Sequence, residues 1–106
     1  MKIKHLVKLI YIRAAICTGT YAFHTPTEIS TALVNFFENA GLSVAIDRPF
    51  SGSIVPMKYW QKEPNVKSVM IEIRRDLYMN EKTGTKSDNF NEMQKTISTI
   101  IKILAN

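Results

Sequence analysis

The stretch that most constrains the fold is 66–79, VKSVMIEIRRDLYM. Val69, Ile71 and Ile73 alternate with Ser68, Met70 and Glu72, the period-2 pattern of a β-strand. One face is β-branched, and the other is also apolar until it reaches Glu72. Strands that are apolar on both faces belong inside α/β sheets, buried on both sides. A strand over 67–73 at the sheet centre is therefore expected. The carboxylate at its end is costly to desolvate without a partner, and Arg74 and Arg75 follow at once. Alternation places Glu72 and Arg74 on one face and Arg75 on the other. As function, Glu72 is a general base beside an electrophile or a metal-bound water. As structure, it is an ion pair with Arg48 or Arg74. The pattern alone leaves both readings open.

The chain is 106 residues long, enough for one small domain. Its net charge of +5 permits weak attraction to nucleic acid or an anionic surface. Four of the basic residues, Lys2, Lys4, Lys8 and Arg13, crowd the first thirteen positions, and the remainder is near neutral. A small, basic, stand-alone binding module is thus the alternative to an enzyme. Such a module would spread Lys and Arg over a folded face or interleave them with aromatics, and this placement of charge argues against a nucleic-acid partner. The single Cys17 excludes a disulfide framework and fits a reducing, cytoplasmic compartment. No apolar run reaches the ~18–20 residues of a membrane span.

Residues 1–14 are the doubtful segment. A signal peptide is suggested by the charged start, but Lys8 and Arg13 interrupt the apolar run and no small-residue cleavage site follows. A strand over 6–12 and 14–18 is the other reading, and a segment foreign to the fold a third. Residues 18–22 read as a loop. Thr25 is then an expected N-cap, with Pro26 at the first helical position and Glu28 completing a capping box. This helix runs to Ala40 on an apolar stripe of Ile29, Leu33, Phe36, Phe37 and Ala40, and Gly41 ends it. A strand over 42–46, a Pro- and Gly-containing loop over 47–53, a brief strand at Ile54–Val55 and an exposed turn over 58–65 follow. A loop over 80–88 leads to a last helix from Asn89, with Phe90, Met93, Ile97, Ile100, Ile101 and Leu104 spaced by threes and fours. The expectation is a mixed β-sheet with packed helices. Three clear strands are few for a sheet covered on both sides, which points to missing strands.

His24 has no second ligand at metal spacing and reads as structural. Cys17, ending an apolar run with no base beside it, reads as a buried inert thiol. Arg48, in the stiff Arg48-Pro49-Phe50-Ser51-Gly52 loop, offers a fork for a carboxylate or is a surface residue of a tight turn.

FHTP (23–26), DRPFSGSIVP (47–56), KYWQK (58–62) and VKSVMIEIRRDLYMNEKTG (66–84), in this order and spacing, resemble the C-terminal part of the N-formylglutamate amidohydrolase family. The resemblance covers 15–106, read as a partial domain. It implies a zinc-exopeptidase-like (phosphorylase/hydrolase-like) α/β/α sandwich. It also implies hydrolysis of N-formyl-L-glutamate to formate and glutamate, a step of histidine degradation in some bacteria. Zinc is the implied cofactor and an N-acyl amino acid the implied partner. Glu72 matches the family's general base, Arg75 the Arg of its E-I-N-R-x-L-Y pattern, and Arg48 a loop on the substrate side. Arg74 replaces the usual Asn, and Ala15 and Tyr21 stand where the family has Asp. The histidine-bearing zinc motifs of the N-terminal half are absent. The expectation is a truncated gene product lacking its N-terminal half, without a metal site, inactive and weakly stable alone.

Overall fold

A computed structural model describes residues 14–105. The expectations for the basic N-terminal cluster, a signal peptide and a strand over 6–12 lie outside the described residues. The fold is a mixed three-stranded sheet with two helices: β1 (Ile16–Gly19), α1 (Thr27–Asn39), β2 (Val44–Ile46), β3 (Met70–Ile73), a 3₁₀ turn (Arg75–Leu77) and α2 (Phe90–Ala105). No helix among the described residues is long and apolar enough to cross a membrane.

The strand order is β2-β1-β3. β1 pairs parallel with β2, Cys17 opposite Ala45, and antiparallel with β3, Cys17 opposite Glu72. Among the described residues, the strand expected at the sheet centre is therefore at an edge, and β1 holds the centre. The burial follows: every β1 residue is buried, whereas all four of β3 are half-buried. β3 is also shorter than expected, because Ser68 turns back to the His24 carbonyl (2.9 Å) before the ladder begins. β1 runs on through Gly19, which had read as loop, and β2 begins at Val44 rather than Leu42. Ile54 and Val55 form no strand, and the Ile54 side chain is 94% exposed.

One sheet face carries Ile16, Val44, Ile71 and Ile73 and packs on Leu33 and Phe37 of α1 and Ile100 of α2. These are the helical positions picked out by the three-four spacing, except that Ala40 and Ile101 are exposed. Gly41 ends α1 in the left-handed region (φ 83°), as expected. The N-terminus differs. Pro26 takes the cap position and no side chain caps the helix. The Thr25 hydroxyl instead accepts from the Tyr21 N–H (3.0 Å) and donates to the Ser68 carbonyl (2.5 Å).

Thr18 shares the helix-covered face, between Ile46 and Ile71, fully buried and with no hydrogen-bond partner for its hydroxyl. A buried hydroxyl without a partner carries its full desolvation cost, and Val has the same shape without it. Thr18→Val should therefore be neutral or raise stability by up to about 1 kcal/mol in urea denaturation. Loss of more than that amount would mean that the hydroxyl is engaged.

Candidate functional site

Alternation puts Cys17, Gly19, Ala45, Met70 and Glu72 on the sheet face turned away from the helices. Glu72 is the one carboxylate that the three strands place there. Its row across the sheet reads Ala45, Cys17, Glu72, so small side chains floor the space beside the carboxylate. Cys17 is buried and points its thiol at the Phe50 carbonyl (Sγ···O 3.5 Å), in keeping with an inert role.

The 47–52 loop closes over the C-terminal end of β1. The Asp47 carboxylate accepts from the Thr20 N–H (2.7 Å) and the Thr20 hydroxyl (2.6 Å), while the Asp47 N–H donates to the Thr18 carbonyl (2.8 Å). Asp47 sits at φ 56°, a conformation Asp tolerates better than most residues because its short polar chain bonds locally. The Gly52 N–H then returns to the Thr20 carbonyl (3.1 Å), and the Arg48–Pro49 bond is cis. Sequence reasoning passed over Asp47 and Thr20. The available signal was an Asp directly before Arg-Pro, a turn residue that can bond its own neighbourhood.

Gly19 explains why the loop can lie so close. A Cβ there would fall 2.3 Å from the Gly52 carbonyl oxygen and 2.6 Å from Met70 Cε. The methionine can swing away, but the carbonyl is backbone. Gly19→Ala should cost about 1–3 kcal/mol by overpacking. Thermal denaturation reads this directly, and an unchanged midpoint would mean that the loop stands off β1.

His24 is a hub rather than a ligand. It is fully buried, its Nδ1 lies 2.8 Å from the Val66 carbonyl, and its Nε2 accepts from the Gln61 N–H (2.9 Å). Those two partners assign the neutral tautomer with the proton on Nδ1. Phe23 meets its ring edge-on at 4.7 Å, and Tyr21 bridges onward to Trp60 at 5.8 Å. The FHTP turn thus anchors both the 58–62 turn and the run into β3, which brings together three of the sequence blocks that carry the resemblance.

Arg48 and Arg75 do not converge. Arg48 lies beyond β2 at the C-terminal rim of β1, whereas Arg75 follows antiparallel β3 at the opposite rim. Both are exposed. Arg75 was expected on the second face of the strand, but it has left the strand for the 3₁₀ turn. Arg74 Nε donates to Asp76 Oδ1 (2.6 Å).

No group of three His, Cys, Asp or Glu among the described residues could hold a metal. With both ring nitrogens of His24 occupied, these residues do not fit the zinc that the resemblance implies.

The comparisons bear on identity. Among curated proteins, none matches the chain. A solved structure of an N-formylglutamate amidohydrolase from Ralstonia eutropha JMP134 is similar in fold, with a TM-score of 0.69 at 23% identity, over 83% of this chain and 32% of that one. The chain thus spans about a third of that neighbour's length. The model of the N-formylglutamate amidohydrolase family matches residues 8–79, well over half of the sequence. The chain belongs to the N-formylglutamate amidohydrolase family.

Proposed function

We propose that this chain is the general-base portion of a zinc-dependent amidohydrolase that cleaves the formyl amide of N-formyl-L-glutamate or a related N-acyl amino acid. The observation that carries the reading is Glu72, the one carboxylate that the three strands place on an otherwise uncharged sheet face. The Glu72 carboxylate takes a proton from the attacking water as the new C–O bond forms at the formyl carbon. It returns that proton to the amide nitrogen as the C–N bond breaks, releasing formate and the free amine. Arg48, exposed on the rim where β1 and β2 end, is assigned to a substrate carboxylate. Arg75 is assigned to substrate contact from the opposite rim.

The zinc belongs, in this reading, to the part of the protein that this chain does not span, within a complete zinc-exopeptidase-like sandwich in the cytoplasm. The purified chain, with or without added zinc, should release no formate from N-formyl-L-glutamate. Combined with the remaining two thirds of the Ralstonia eutropha neighbour, it should. Robust zinc-dependent hydrolysis by the chain alone would overturn the proposal, as would a combined protein that stays inactive.

A further inference from the structure

We infer that Asp47 and Thr20 form the positioning clasp of the candidate site, holding the 48–52 loop over the Glu72 face so that Arg48 meets a substrate carboxylate. The inference deepens the reading above and rests on it for the role of Arg48. Cys17 lies opposite Glu72 in the ladder and shares its face, and the Cys17 Sγ reaches the Phe50 carbonyl (3.5 Å). Gly19, two residues on, shares that face as well. A Cβ on Gly19 would fall 2.3 Å from the Gly52 carbonyl oxygen. Residues 50–52 therefore cross the sheet on the side of the carboxylate and wall the row that holds it.

Thr20 anchors this wall at both ends. Asp47 Oδ1 accepts from the Thr20 N–H (2.7 Å) and Oδ2 from the Thr20 hydroxyl (2.6 Å). At the far end the Gly52 N–H donates to the Thr20 carbonyl (3.1 Å). A carboxylate that takes two donors from one residue fixes orientation as well as distance. β2 itself does not need these bonds. Its ladder runs to Ile46 opposite Thr18, and the Asp47 N–H already donates to the Thr18 carbonyl (2.8 Å). The carboxylate bonds are additional, and they act one residue before Arg48. Arg48 is exposed, so burial contributes little to its place and the backbone before it decides where the guanidinium can reach.

The test has two arms. In the chain alone, Asp47→Ala and Thr20→Val should speed hydrogen exchange of the Gly52 amide at least about tenfold, because releasing one end of the loop frees the other. Thr20→Val leaves the backbone at Asp47 untouched and covers the case in which Asp47→Ala fails to fold. In the assembled protein, this chain joined to the remaining two thirds of the Ralstonia eutropha neighbour, both variants should raise KM for N-formyl-L-glutamate roughly tenfold with kcat within about twofold. Asp47→Asn, which tolerates a positive φ and still accepts from the Thr20 N–H, should recover most of that loss. With Arg48→Ala already in place, Asp47→Ala should raise KM no further, the mark of a residue that acts through another. An equal effect in both backgrounds would make the clasp a structural staple and overturn the inference, as would a Gly52 amide that the variants leave unmoved. An Arg48→Ala protein with unchanged KM would overturn it too, while its formate release leaves the amidohydrolase reading standing. An assembled protein without activity overturns that reading instead, and the Gly52 amide then decides the clasp.

Discussion

Replacing Glu72 with Gln in the assembled protein should lower kcat roughly 10²–10⁴-fold, the usual contribution of a positioned acid–base group. Gln keeps the shape and the hydrogen-bonding reach of the side chain but takes no proton from water. KM for N-formyl-L-glutamate should stay within about twofold, because a group that acts in the transition state contributes little to ground-state binding. The thermal midpoint should hardly move, since Glu72 is only half-buried and at an edge. A variant that keeps full kcat would remove Glu72 from the chemistry. A variant that unfolds would make it a structural residue instead. Steady-state formate release and a melting curve on the same sample distinguish these outcomes.

Replacing His24 with Ala should cost about 3–5 kcal/mol, enough to unfold a chain of this size. The truncation empties a fully buried site and strands the Val66 carbonyl and the Gln61 N–H, each worth roughly 1–3 kcal/mol when left without a partner. His24→Asn should fall between, because its amide can still donate toward Val66 while the Gln61 N–H stays unsatisfied. Urea denaturation of the three proteins gives the order. Metal content offers a second readout: zinc should bind no more tightly to the native chain than to the Asn variant. A His24-dependent gain in zinc affinity would make the residue a ligand.

How much of this was legible in the sequence depended on whether the deciding force was local. The two helices were read nearly to their ends, because their apolar spacing and Gly41 record the burial directly. Thr25 looked like a cap and is not one, since its hydroxyl is taken by Ser68, 43 residues away. β3 was read as a central strand from its composition, and the structure puts it at the edge of the described sheet. Composition records the neighbours that a strand was selected to have, which need not lie in the same stretch of chain. Glu72 stood out because a carboxylate in an apolar run is conspicuous, and the strand pairing places it on the sheet face turned away from the helices. The Thr20–Asp47 clasp was not, because a two-residue agreement across 27 positions leaves no periodic trace. The separation of Arg48 from Arg75 was likewise hidden, since it follows from the antiparallel sense of β3 rather than from any residue.

The strand order also sets the route by which the molecule assembles. β2 and β3 follow one another in the chain but do not touch, and each pairs only with β1. Among the described residues, no two strands of the sheet are joined by a hairpin. The first sheet contact needs a loop of roughly 25 residues to close, and the second one of about 50, before either ladder offsets the entropy of closure. Residues 16–19 therefore act as the template on which both later strands register, so a ribosome releasing this chain in order presents the template before either strand that needs it.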